Sequence, residues 1–154
     1  MMRASKKLEY GLRAMADLAS YYKDGPVSAK NISGRQNIPL QYLEQILNRL
    51  KRARLIETVR GPKGGYALSK EPVKVKMSNI FVALGDRGYL VACLGKKSST
   101  PCSRMAMCNT RVFWEKLNKS MAEVLNSMSL QDLCDNKKGG KRVNKIEHSY
   151  PFQI

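Results

Sequence analysis

Three of the four cysteines in this chain, Cys93, Cys102 and Cys108, fall within one short stretch, and they are the residues best able to do chemistry. Thiolates bind soft metal ions, hold iron–sulfur clusters or act as redox groups. Between the first two lie Gly95, Lys96, Lys97, Ser98, Ser99, Thr100 and Pro101, which give a loop almost nothing to bury. Long loops of that kind usually have a function. Cys108 precedes a segment that reads as a long helix, where the positive end of the helix dipole and the nearby Arg104 and Arg111 favour thiolate. Eight residues separate the first pair of cysteines and five the second, which is not a ferredoxin pattern. Spacing alone leaves an iron–sulfur cluster, a zinc site and redox thiols all open. Cys134 stands apart and reads as a small buried apolar residue at a helix end.

The chain around these cysteines is strongly basic, with 28 Lys and Arg against 12 Asp and Glu and a formal net charge of +16 over 154 residues. That field favours a polyanion as partner, without separating DNA from RNA or an anionic membrane. No apolar run approaches the roughly 20 residues needed to span a bilayer, and the start lacks the apolar core of a secretion signal. A cytoplasmic location and no membrane partner are expected. In a reducing compartment, clustered cysteines serve better as ligands or redox thiols than as structural disulfides.

The elements that must position these groups follow from apolar periodicity. Leu8, Leu12, Met15, Ala19 and Tyr22 recur at helical spacing and predict a helix over about 5–22. Ser28 is placed to cap a short helix running to about Arg35, Asn37 tolerates a left-handed backbone, and Pro39 suits the first turn of a third helix. In that helix Leu40, Leu43, Leu47 and Leu50 form one face. Segments 55–60 and 66–68 read as strands joined by Gly61-Pro62-Lys63-Gly64-Gly65, a basic wing. A further helix is predicted over 78–84. From about Asn109 a long helix carries Trp114, Leu117, Met121, Val124 and Met128 as a two-heptad seam suited to dimer packing, widened by Val112, Phe113 and Leu125. Ser129 and Asp132 look like a capping motif opening a last turn. The chain thus divides into a DNA-binding unit at 1–84, a cysteine-bearing loop at 85–108, a dimerisation helix at 109–135 and a basic tail at 136–154 that is expected to be partly disordered.

Two short helices joined by a tight turn and followed by a Gly-rich hairpin make a winged helix-turn-helix, so the fold class is mainly α with a small β-hairpin wing. Its second helix would lie in a major groove. Gln41, Glu44 and Gln45 are candidates for base edges, since Gln pairs with adenine and Glu accepts from the cytosine amine. Arg60 and Lys63 in the wing, with Arg49, Lys51, Arg52 and Arg54, are candidates for phosphate or the minor groove. Ser28, Tyr42 and Asn48 complete the candidate DNA-binding set.

The stretch Tyr42-Leu43-Glu44-Gln45-Ile46-Leu47, followed by Val59-Arg60-Gly61-Pro62-Lys63-Gly64-Gly65-Tyr66, resembles the family of bacterial regulators that includes IscR, NsrR, RirA and CymR. The resemblance runs from about residue 2 to 135. It takes in Ser5-Lys6-Lys7-Leu8-Glu9-Tyr10 and Ser129-Leu130-Gln131-Asp132-Leu133. What it implies is a homodimeric transcription regulator with crossed long helices, two recognition helices in successive major grooves of a near-palindromic site, a wing arginine matched by Arg60, and target choice influenced at Glu44. Cluster-binding members carry three cysteines in this same loop. The resemblance therefore implies an iron–sulfur cluster, of two or four irons, on Cys93, Cys102 and Cys108.

Two departures from the family pattern bear on that cluster. The first gap is longer than in IscR and NsrR, and the histidine that IscR-like members place three residues after the last cysteine is here Arg111, which cannot ligate. NsrR-like members instead use an acidic residue of the partner chain, and the matching position is Glu9, otherwise an exposed helix carboxylate. His148, the only histidine, lies in the tail and reads as incidental. Three thiolates and one weak oxygen ligand imply a cluster easily lost to oxygen or nitric oxide, coupled to DNA affinity by about 1–3 kcal/mol. The rival readings are a cluster-free regulator of the CymR kind, acting through a protein partner or thiol oxidation, and an RNA-binding basic protein. An enzyme is not expected, because no Walker loop, nucleophile elbow or paired acid–base set is present.

Overall fold

The first helix, α1 (Lys6–Ser20), opens where the Ser5 hydroxyl accepts a hydrogen bond from the Leu8 amide at 3.2 Å. The computed structural model describes residues 4–85, 89–95 and 102–138. Expectations for residues 96–101, His148 and the rest of the tail from 139 onward lie outside these. α1 buries Leu8, Ala14, Met15, Leu18 and Ala19, while Leu12 is only half-buried and Tyr22, beyond the helix end, is exposed. Gly11 lets α1 approach Leu84 so closely that a Cβ would overlap the leucine side chain.

α2 (Ala29–Gln36) is capped by Ser28, whose hydroxyl accepts from the Asn31 amide at 3.2 Å, and ends at Asn37 with φ 49°. Both features agree with the expectation from sequence. α3 (Leu40–Arg52) follows after Pro39, which stands just ahead of the helix rather than in its first turn. Its buried face is Leu43, Ile46, Leu47 and Leu50. Leu40 was expected on that face, but its place at the helix start leaves it 39% exposed, and Ile46, six residues further on, is buried instead.

β1 (Ile56–Val59) pairs antiparallel with β2 (Gly65–Leu68), in the register Ile56 opposite Leu68 and Val59 opposite Gly65. Val27 exchanges two backbone hydrogen bonds of 2.8 Å with Tyr66, which ties the hairpin to the entry of α2. A 3-10 turn (Pro72–Lys74) leads to α4 (Met77–Ala83). Two further 3-10 turns (Ala92–Leu94 and Met105–Met107) lie in the cysteine-bearing segment. The segment 109–135, assigned above to one dimerisation helix, instead holds two. α5 (Arg111–Ser127) ends before Met128, and α6 (Leu130–Lys138) packs on α1 with Leu130 fully buried. Asp132 accepts from both the Ser129 amide and hydroxyl, at 2.7 and 2.9 Å, forming the expected cap, and these bonds hold its carboxyl below the usual range. The Leu130 amide donates to the Val75 carbonyl at 2.8 Å, joining the α5–α6 junction to the core. α6 also carries the helix three residues into the stretch assigned to the tail.

α1 and α2 are held together by Asp17, a buried carboxylate at 3% exposure. Arg35 donates to it twice, from Nε at 3.1 Å and Nη2 at 2.7 Å, and Gln36 Nε2 donates at 2.9 Å. The Arg35 guanidinium also stacks on Tyr21 at 4.3 Å. Nothing in the sequence pattern marks this pair, because the partners stand 18 positions apart. Hydrogen bonds to a charged group contribute about 1.5–3 kcal/mol, so Asp17→Ala should lower the unfolding free energy by about 2 kcal/mol. Urea titration at fixed protein concentration would register this as a lower midpoint with unchanged slope.

Candidate functional site

Burial of one face of α3 decides what its other face offers. Gln41, Glu44, Gln45, Asn48, Arg49 and Arg52 are all exposed along it. Tyr42 is half-buried, its ring edge-on to Tyr10 at 5.9 Å, so it joins α3 to α1 as much as it faces outward. Basic residues crowd the last turn, where Arg49, Lys51 and Arg52 face the negative end of the helix dipole. Ser28 is half-buried, with its hydroxyl oxygen occupied by the α2 cap.

In the wing, Arg60 and Lys63 are exposed, and the turn closes through a 2.9 Å bond from the Gly64 amide to the Gly61 carbonyl. Gly61 has φ 124°, outside the range most side chains adopt. Gly64 and Gly65 are required for a different reason. A Cβ on Gly64 would overlap the Val59 carbonyl, and one on Gly65 would overlap the backbone of Val27. Close approach therefore seats the hairpin against the start of α2. An open groove of about 700 Å³ lined by Lys51, Arg54, Glu57 and Arg60 runs between the end of α3 and the wing.

The structure brings the three clustered cysteines together. Cys93, Cys102 and Cys108 line one small cavity of about 20 Å³, walled by Leu94, Met105 and Trp114 and bordered by Arg111. All four cysteines of the chain are unbridged thiols; Cys93 and Cys102 are exposed, Cys108 is half-buried and Cys134 is buried on α6, as expected for it. Thr110 lowers the Cys108 pKa through its hydroxyl, 3.4 Å from the sulfur, and its backbone, with a further contribution from Arg111. Arg111 holds Glu115 at 2.6 Å and also feels Cys93 and Cys108, so a cation stands at the mouth of the cavity. Among the described residues, no three His, Cys, Asp or Glu side chains could share a single metal ion. A cluster is a larger body than one ion and takes its thiolates further apart. Three cysteines lining one apolar cavity are the donor type a cluster takes, but a space of about 20 Å³ is close to the size of one water, so the thiols would have to move apart to hold it.

Glu9 lies on α1, away from this cavity's lining, paired with Lys6 at 3.0 Å and Arg13 at 3.8 Å. Beyond the cavity, α5 has no buried residue over its 17 positions. Val112 is 74% and Phe113 59% exposed, with Leu117 and Val124 also open, while Leu125 and Met128 pack on the core. The predicted seam is thus shared between the chain's own core and an uncovered side. No helix among the described residues is long and apolar enough to cross a membrane.

A capped helix-turn-helix, its second helix polar on the outside and its hairpin seated beside it, defines a winged-helix DNA-binding protein. The comparisons agree. Residues 4–136 match the Rrf2 family, described as iron-dependent transcriptional regulators. An HTH-type regulator of Neisseria meningitidis is 39% identical over 96% of this chain and 99% of its own length. IscR of Yersinia enterocolitica is 36% identical over 88% of this chain and 80% of its own. Among solved structures, T. potens IscR superposes with a TM-score of 0.74 at 34% identity, covering 91% of each chain. CymR, the global cysteine regulator of B. subtilis, gives 0.71 at 32% identity, covering 88% of this chain and 98% of its own. This chain belongs to the Rrf2 family and is a transcriptional regulator, not an enzyme.

Gly65→Ala should separate the wing from α2 by forcing Val27 and Tyr66 apart, abolishing tight DNA binding while leaving helix content intact. Circular dichroism together with gel-shift titration checks both halves.

Proposed function

We propose that this regulator binds a near-palindromic duplex as a homodimer, and that an iron–sulfur cluster on Cys93, Cys102 and Cys108 sets its affinity. The observation that carries the proposal is the single cavity lined by all three cysteines immediately before a helix that leaves Val112, Phe113, Leu117 and Val124 exposed. The protein acts in the cytoplasm on DNA, with no small-molecule substrate. Gln41, Glu44 and Gln45 meet base edges, and Asn48 and Tyr42 flank them. Arg49, Arg52, Arg60 and Lys63 meet phosphates or the minor groove, and the Ser28 hydroxyl, which accepts within the chain, still has its hydrogen to donate.

Cys93, Cys102 and Cys108 would hold the cluster, and Glu9 of the second protomer, released from Lys6 and Arg13, would complete the ligand set. When bound, such a cluster supplies bonds that tie the three sulfurs together and that oxygen or nitric oxide can break. Arg111 offsets the negative charge of the thiolates. Leu94, Met105 and Trp114 limit water at the cavity. Cys108 stands three residues ahead of α5, so the order of the cysteine segment passes directly to the helix that pairs the protomers. α5 also packs on α4, which packs on α3, giving a short packing path from sensor to reading helix.

A cluster-free reading of the CymR kind is favoured by one feature, the Arg111 guanidinium standing where a fourth ligand from this chain would be needed. There the exposed thiols of Cys93 and Cys102 would respond to oxidation directly.

Footprinting one duplex with anaerobically loaded protein, stripped protein and the Cys102→Ser variant distinguishes the two. A coupling of about 1–3 kcal/mol corresponds to roughly 5–150-fold between loaded and stripped forms, with the variant fixed at the stripped value. Equal affinities for all three would remove the cluster from control.

A further inference from the structure

Arginine occupies a backbone position where glycine would be relaxed. α3 ends with the Arg54 amide donating to the Lys51 carbonyl at 2.9 Å and the Leu55 amide to the Leu50 carbonyl at 3.0 Å. That is the Schellman ending, whose left-handed residue is usually glycine. Here it is Arg54, at φ 57°, and its side chain is exposed with no ion pair to any other described residue. A strained position kept by a charged residue is a reason to look for a ligand.

Arg54 borders two grooves. One is the groove shared with Lys51 and Arg60 beside the wing. The other, of about 550 Å³, lies on the far side and is lined by Lys70, Lys74, Ser78 and Asn79. The Ser69 amide donates to the Leu55 carbonyl at 3.1 Å, which holds Lys70 alongside Arg54. Lys74 is already engaged by Glu71 at 2.9 Å, whereas Lys51, Arg60 and Lys70 form no ion pair with another described residue. Positive charge therefore continues from the wing, through Arg54, to the exit of β2.

We infer that Arg54 is the joint of a continuous phosphate track, and that Lys70 extends backbone binding on duplex DNA beyond the stretch reached by α3 and the wing. The inference rests on the DNA-binding reading and adds an outer anchor to it. A regular duplex repeats its phosphates along the groove direction, and Arg54 and Lys70, which share their surroundings with Glu57 and Glu71 but form no ion pair with another described residue, are stabilised by each phosphate they meet. The open second groove leaves room for the strand to pass over Lys70.

The test uses full-length protein and a duplex enriched by the wild type from random-sequence DNA, prepared long and also trimmed to the central reading region. Arg54→Gly should keep or raise Tm, because it relaxes the cap, yet weaken binding to both duplexes several-fold. Lys70→Ala should weaken the long duplex only. Each phosphate that a variant no longer neutralises should make the slope of log affinity against log salt shallower by about 0.9. A wild-type slope for Lys70→Ala on the long duplex, or equal weakening on both duplexes, would overturn the outer anchor. A lowered Tm for Arg54→Gly, or unchanged binding by it, would overturn the joint. If the wild type enriches no duplex at all, DNA binding itself fails, and this inference with it.

Discussion

One constraint governs the reading head: Leu43, Ile46, Leu47 and Leu50 must stay out of water. Each is at most 1% exposed. Fully burying such a side chain contributes about 1.5–3 kcal/mol, so turning α3 about its axis would cost several times that. The rotation of the helix is thereby set from inside, and with it the outward direction of Gln41, Glu44, Gln45 and Asn48. The same core fixes the wing, since Ile56 and Leu68 are buried opposite one another while the rest of β1 is exposed. A rigid interior thus presents a polar surface whose geometry is not free to adapt.

α5 is the opposite case. It has the length of a core helix but no fully buried residue, with Leu125 packed on the core and Val112, Phe113, Leu117 and Val124 exposed. α6 fixes the far end of α5: Leu130 is fully buried and its amide donates to the Val75 carbonyl.

The elements legible in the sequence were those specified by local chemistry. Ser28 and Asn37 bound α2 because a hydroxyl cap and a left-handed turn are properties of single residues, and the wing glycines mark a hairpin for the same reason. Three cysteines in one loop were visible as a motif, though their meeting at a single cavity depends on how Trp114 and Met105 fold around them. Leu40 was misplaced because periodicity alone does not say where a helix leaves the core. The clamp of Asp17 and Arg35 and the docking of α6 on α1 were missed, since each joins residues far apart in the chain. Arg54 had the right chemical type in the sequence, but its left-handed backbone became apparent only once the end of α3 was seen.

Whether Cys93, Cys102 and Cys108 hold one iron–sulfur cluster is tested by anaerobic purification followed by an absorption spectrum and assays of iron and acid-labile sulfide. Coloured protein is expected, with iron and sulfide in matching amounts, and loss of both when any one of these cysteines is replaced by serine. Colourless wild-type protein, empty of iron and sulfide after anaerobic handling and reconstitution, would contradict a cluster on these residues.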